Sequence, residues 1–384
     1  MLISKVVLKN WRNFREANVA LSSRCFIVGP NACGKSNFLD VFRFCRDIVK
    51  QGGGLQKALS DRGGLSKIRC LTSNSSESGI ELGLHIFDPT SNTNWIYEIG
   101  VSKNRGRNSR SLLKFERVYK NEKIILDRPN SDDKKDDSLL TQTHLEQINS
   151  NSKFRDIANL FNTTVYLHLV PQLIRYAHTF SSEGLEGDPF GRTFLEKIAK
   201  SSEGTRKQKL SKIGEALKSV VPQFDELQFT RDPVNGKPHL EAIYQHWRAG
   251  KAGRQREDQF SDGTLRLIGL FWSLLESDSL LLLEEPELSL HSEIIKKLPS
   301  LIYRLQTAKK RQVILTTHST DLLSDDGIST EEVLLFKPTK RGTEIKVLSQ
   351  DEEASSLLQG GFTIGEAIIP RTKPSLIDQL SLLK

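Results

Sequence analysis

The sequence predicts an α/β protein: a mixed sheet with an antiparallel β-lobe, an inserted helical subdomain and no long coiled coil. Three observations carry this. Cys25-Phe26-Ile27-Val28 is a short buried strand that runs into a glycine-rich loop and then a helix. Leu280 to Leu283 is a second fully apolar strand, ending in consecutive acids. Between them, segments around Ile80 to Phe87, Trp95 to Val101 and Leu112 to Tyr119 alternate apolar and polar residues, the pattern of a half-buried antiparallel sheet.

Element by element, Met1 to Lys9 alternates as a strand, with Val6 and Leu8 inward and Lys5 and Lys9 outward. Ala17 to Leu21 offers a second strand. The helix from Lys35 presents Phe38, Leu39, Phe42 and Cys45 on one face. Ser131 to Asp137 is a polar surface loop. From about 180 to 222 the chain reads as helical, with Leu210, Ile213, Leu217 and Val220 on one face and lysines opposite, and a short β-like piece follows. After Ser261 come a helix, the Leu280 to Leu283 strand, one helix through Ile294, Ile295, Leu298, Leu301, Ile302 and Leu305, and the strand Val313 to Leu315. Glu332 to Phe336 and Thr343 to Val347 close the fold. Four parts follow: an N-terminal lobe at 1–178, an insert at 179–255, a C-terminal lobe at 256–350 and a tail at 351–384. No internal repeat is seen, and no heptad pattern persists between Lys35 and Ser261.

Composition narrows the classes. The 384 residues carry a net charge of +8, which permits a polyanionic partner without requiring one. No apolar run approaches the roughly 18 residues that cross a bilayer, so no membrane role is expected. The start lacks the features of a signal peptide. Cys25, Cys33, Cys45 and Cys70 form no Cys-x-x-Cys pair. Free thiols in a reducing cytoplasm are the simplest reading.

The chemistry lies in four motifs. Gly29-Pro30-Asn31-Ala32-Cys33-Gly34-Lys35-Ser36 fits the phosphate-loop pattern in its strand–loop–helix context. Backbone amides there curl around phosphate oxygens, Lys35 neutralises the β and γ phosphates, and the Ser36 hydroxyl holds Mg²⁺; Asn37 follows at the binding edge. Glu284-Glu285-Pro286-Glu287 places carboxylates at a strand's C-terminal end, where nucleotides bind in α/β folds. Glu284 is the metal candidate and Glu285 the general base. Phe260-Ser261-Asp262-Gly263-Thr264-Leu265-Arg266 precedes an apolar helix, for which a plain Ser/Asp cap is the competing account. Thr316-Thr317-His318-Ser319 ends a strand.

Together these motifs resemble those of ABC-type ATPases, over residues 1–60 and 256–350. Ser261 and Gly263 match the Ser and second Gly of the family's signature, while Asp262 stands where Gly is usual and Thr264 where Gln or Glu is usual. The resemblance implies that Ser261, Asp262 and Gly263 meet the ATP of a second copy, that His318 contacts the γ-phosphate, and that Leu288-Ser289-Leu290-His291 is a D-loop. Asn10-Trp11-Arg12-Asn13-Phe14-Arg15 resembles the opening of the RecF/SMC branch. Arg12 is then the nucleotide-reaching arginine, with Arg15 as competitor. Gln172 is a Q-loop and metal-ligand candidate, a loop cap being the alternative.

Within that branch the Glu-Glu-Pro-Glu-Leu-Ser-Leu-His turn resembles stand-alone AAA-type ATPases related to OLD-family proteins, many of them from anti-phage defence operons. No TOPRIM-like Asp-x-Asp set follows His318. The expectation is an ATP- and Mg²⁺-dependent homodimer that controls a separately encoded effector, a nuclease among the candidates. The alternative is a RecF-like repair ATPase that clamps duplex DNA, served by basic runs at Lys103 to Arg110 and at Arg248, Lys251, Arg254 and Arg256. A transporter cassette fits poorly, since the stretch between phosphate loop and signature is too long. The apolar stretch Gly360 to Pro370 is expected to dock on the head, with a partner as the other choice.

Overall fold

The computed structural model describes residues 1–72, 79–104, 110–177, 190–245, 252–276 and 279–373. In chain order the strands and helices are β1 (Leu2–Trp11), β2 (Phe14–Ala20), β3 (Arg24–Val28), α1 (Lys35–Val49), α2 (Leu55–Ser60), α3 (Leu65–Ile68), β4 (Ile80–Asp88), β5 (Thr93–Lys103), β6 (Ser111–Lys120), β7 (Lys123–Arg128), α4 (Arg155–Asn162), β8 (Val165–Leu167) and α5 (Pro171–Arg175). They continue with α6 (Phe194–Lys200), α7 (Glu203–Lys218), β9 (Phe224–Arg231), β10 (Pro238–Gln245), β11 (Ala252–Arg256), α8 (Asp262–Glu276), β12 (Leu281–Glu284), α9 (Ser292–Ile295), α10 (Leu298–Lys309), β13 (Val313–Thr317), β14 (Val333–Thr339), β15 (Gly342–Val347), α11 (Glu352–Gln359) and α12 (Ile364–Ile368). The longest described helix, α7, has 16 residues, so no coiled-coil arm interrupts the described chain.

The chain divides into two compact units. The first comprises Met1–Val165, Asp278–Leu282 and Lys310–Lys384. It contains the antiparallel sheet β2-β1-β4-β5-β6-β7. Trp11 pairs with Phe14 across the two-residue turn Arg12-Asn13, which starts β2 earlier than alternation alone suggests. A second sheet runs β15-β14-β3-β13 and continues into the opening residues of β12 and β8. Strands β13 and β14 both run parallel to β3, with Thr317 opposite Val28 and Leu335 also opposite Val28. Gln312 fastens the sheets: its amide donates to Ile3 O and Ser22 O and accepts from Ile3 N. Behind β3 the core is aromatic, with Phe14, Phe38 and Phe336 in mutual edge contact at ring distances of 5.6 to 6.1 Å.

The chain after β15 packs into this first unit. Ile364, Ala367 and Ile368 are buried, and a Cβ on Gly365 would lie 2.4 Å from Thr320 O. Asp351 caps α11 through Ala354 N and accepts from Lys337 (2.8 Å) and Arg371 (2.9 Å). Up to Lys373, then, the apolar stretch docks on its own unit; 374–384 lie outside the described residues.

The second unit comprises Tyr166–Ser277 and Leu283–Lys309. The expected helical stretch resolves into α6 and α7, with Leu210, Ile213 and Leu217 buried on one face; α7 ends before Val220, and 180–189 lie outside the described residues. The short β-like piece is a full three-stranded sheet, β11-β10-β9. The single helix expected from Ile294 to Leu305 is two, α9 and α10. Pro299 cannot occupy a helix interior, and it sits instead in the first turn of α10.

Candidate functional site

In the first unit the phosphate loop leaves β3 at Val28 and enters α1 at Lys35. Its path needs glycine at two places. A Cβ on Gly29 would lie 2.7 Å from Phe336 O, and Gly34 takes φ +99° with Asn13 against it. Ala32 also lies in the left-handed region, at φ 61°. Gly34 precedes the first turn of α1 and has no side chain with which to cap it, so the amide-rich helix end suits an anion. Lys35 Nζ donates to the carbonyls of Gly29 (3.1 Å) and Pro30 (3.2 Å), holding the ammonium over the loop. Ser36, Asn31 and Ala32 are exposed and Pro30 half-buried, whereas Cys33 is buried; burial pushes its thiol up despite the nearby Lys35.

Long-range partners brace this loop. Thr343 donates to Cys33 O at 2.7 Å, and Asn13 donates to Ala32 O at 3.2 Å. Asn13 also accepts from the Asn37 amide, and Trp11 donates to Asn37 O at 2.8 Å. Asn37 is therefore held by the β1–β2 turn. Neither Asn13 nor Thr343 was marked by sequence; Asn13 lies inside a motif read for its arginines, and Thr343 carries no local signal.

The register brings His318 to the loop. Thr317 is opposite Val28 on parallel strands, so His318 and Gly29 leave the same sheet edge from neighbouring strands. Arg12 is the arginine expected to reach nucleotide. It donates to Asp40 on α1 at 2.8 and 3.2 Å, and Arg62 holds the same carboxylate from the other side. Burial alone would raise the Asp40 carboxyl, but Arg62, Arg43 and Arg12 hold it below the usual carboxylate range. Arg15, the competitor, is exposed.

The second unit carries the signature, the acids and Gln172. Ser261 caps α8, its hydroxyl accepting from Thr264 N at 3.1 Å, so the capping role is real. Asp262 accepts from Arg175 (2.7 Å) and from Gln172 (3.0 Å). Gln172, the metal-ligand candidate, thus reaches the signature turn from α5 through its Nε2. A Cβ on Gly263 would lie 2.8 Å from Ser289 O, which packs the signature glycine directly on the D-loop stretch. Ser289 itself takes φ 63°.

Glu284, at the end of β12, accepts a short hydrogen bond from the buried Tyr166 hydroxyl. Sequence reading missed Tyr166, because only the fold brings β8 beside β12. Glu285 begins the acidic turn with φ 44°, an uncommon conformation for a non-glycine residue and one that recurs at functional sites. Arg266, one turn into α8, has its ordinary pKa lowered by burial, although Asp262, Glu285 and Glu287 oppose that shift.

In kind, the residues of each unit suit part of a magnesium–nucleotide: the first has an amide-lined loop with a lysine and a serine hydroxyl, and the second has carboxylates at a strand end. Among the described residues there is no cluster of three or more His, Cys, Asp or Glu that could hold a metal ion. No helix of the described residues is long and apolar enough to cross a membrane.

A phosphate loop with a histidine on the adjoining strand, in a mixed sheet flanked by an antiparallel lobe, with a second unit bearing signature helix and acidic turn, defines an ABC-type ATPase head. Solved structures agree in fold. An SMC head bound to the C-winged helix domain of ScpA is 16% identical, with a TM-score of 0.58 over 90% of this chain and 98% of that one. An SMC head with an extended coiled coil, bound to the C-terminal domain of ScpA derived from Pyrococcus furiosus, is 14% identical, with a TM-score of 0.53 over 93% and 98%. No curated protein matches the sequence. The profile described as "AAA domain, putative AbiEii toxin, Type IV TA system" matches residues 25–325, and the chain belongs to that AAA family.

Proposed function

We propose that this protein binds and hydrolyses ATP with Mg²⁺ as a head-to-tail homodimer, and that the closed and open dimer switch a separately encoded effector. The observation that supports the nucleotide site is the pairing of Thr317 with Val28, since His318 and the phosphate loop follow these paired strand ends. Lys35 would neutralise the β and γ phosphates, and Ser36 with Glu284 would hold a metal, which would supply positive charge against that developing on the phosphates. Glu285 would accept the proton of the attacking water and His318 would donate to the γ-phosphate. Ser261 and Gly263 of the second copy would complete the site.

The sequence motifs support two composite sites, and the family's description as a putative toxin of a type IV toxin–antitoxin system accords with control of another protein. An anti-phage setting in the cytoplasm is the biological reading we favour. The test is ATP turnover per subunit against protein concentration, together with sedimentation with and without Mg-ATP. The proposal expects turnover to fall on dilution as an ATP-dependent dimer dissociates. Constant turnover per subunit, with no such dimer, would sink it.

A further inference from the structure

Resting on this composite-site reading, we propose that Arg175 is a positioning residue of the signature turn, and that it neutralises an acid carried where the resembling family has glycine. Asp262 begins α8 between Ser261 and Gly263, the two residues that would face a partner's γ-phosphate. A bare carboxylate there would repel a triphosphate. One nitrogen of Arg175, Nη2, donates to Asp262 Oδ1 at 2.7 Å and to Phe260 O at 2.7 Å, so a single guanidinium group spans Ser261. Gln172 donates to the other carboxylate oxygen at 3.0 Å. Both donors come from α5, three residues apart and so on one helix face, with Pro171 starting the helix and Ile174 buried beneath it.

The pair is built rather than incidental. The Arg175 side chain is 17% exposed and that of Asp262 35%, so the guanidinium is the more deeply set partner. The two N–H bonds of Nη2, fixed in the guanidinium plane, can serve a carboxylate and a carbonyl together, an arrangement that an ammonium on a flexible stem holds less well. The result is a signature turn that keeps the serine cap and the close Gly263 approach to Ser289 while presenting no uncompensated negative charge.

The test measures kcat, and Mg-ATP affinity of the dilute monomer, for the full chain carrying Arg175→Met, Arg175→Lys, Asp262→Gly, or Arg175→Met with Asp262→Gly. Melting temperatures check folding. Removing one partner of a largely covered charge pair should lower kcat about tenfold in Arg175→Met, with monomer affinity for Mg-ATP unchanged. In the Asp262→Gly background the same change should cost less than about twofold, since no acid remains to be neutralised. Arg175→Lys, which keeps the charge, should stay within about threefold of the unmodified protein and decides the matter if Arg175→Met does not fold. Equal losses in both backgrounds, or a lysine variant as poor as the methionine one at the same melting temperature, would overturn the role of Arg175. Turnover of the unmodified protein that is independent of concentration would instead overturn the composite site, and this proposal with it.

Discussion

Replacing Arg62 by methionine should destabilise the first unit by about 3 kcal/mol at neutral pH. The Arg62 side chain is 6% exposed and makes hydrogen bonds of 2.8 to 3.2 Å to Asp40 and one of 2.9 Å to Asp47. It also donates to Ala58 O and lies over the Phe44 ring at 5.3 Å. Breaking a buried ion pair from one side costs roughly 3–5 kcal/mol, because a charge is left without its partner. Here Asp40 keeps Arg12 at 2.8 Å and Asp47 keeps Arg46 at 3.1 Å, which puts the loss at the lower end. The assay is urea unfolding of both proteins from pH 7 downward. For Asp40 and Asp47 burial works upward on the carboxyls, yet the surrounding cations bring both below the ordinary value of 3.8. A depressed folded pKa gives stability that is present above the unfolded value and lost as pH falls through the folded one. The unmodified protein should therefore keep this contribution from pH 7 to 5 and lose it as pH falls below about 3.8, and the gap between the proteins should close once both carboxyls are protonated. A loss under about 1 kcal/mol at pH 7, or a gap that widens as pH falls below about 3.8, would refute the reasoning.

Two further substitutions follow from the site. Gly263→Ala adds a Cβ that would lie 2.8 Å from a backbone carbonyl, so the D-loop must shift; we expect a strain of about 1–3 kcal/mol and a larger loss of turnover than of melting temperature. Tyr166→Phe removes the donor to Glu284 and should raise the Mg²⁺ concentration for half-maximal turnover about tenfold, as outer partners of metal ligands commonly do; an unchanged Mg²⁺ titration would free Glu284 of that dependence.

What the sequence made legible was local. The phosphate loop could be read because only glycine allows the backbone at Gly29 and Gly34, and because strand, loop and helix are contiguous. The antiparallel lobe could be read because alternation in β4, β5 and β6 matches their buried faces. The sheet β9 to β11 was underestimated, since β11 (Ala252–Arg256) is largely polar and has little alternation to show. What stayed hidden was long-range. Thr343 braces a loop 310 positions away and Tyr166 reaches Glu284 across 118, and neither pairing has a spacing rule. Arg12 illustrates the same limit: a motif suggested a nucleotide contact, and its bond to Asp40 on α1 has no signal in the sequence. The departure of Asp262 from glycine was visible in the sequence, but its compensation by Arg175 and Gln172 needed the fold.

The central claim, that each ATP site is shared between two copies, is tested most directly by mixing two inactive variants. Glu285→Gln should bind ATP without hydrolysing it, and Ser261→Arg should spoil the signature at an exposed position. A head-to-tail dimer of one with the other contains one site in which every group is intact. With half the dimers mixed and one of two sites restored, the account predicts recovery to about a quarter of unmodified turnover. A mixture no more active than the sum of its separate components, at concentrations where dimers form, would contradict it.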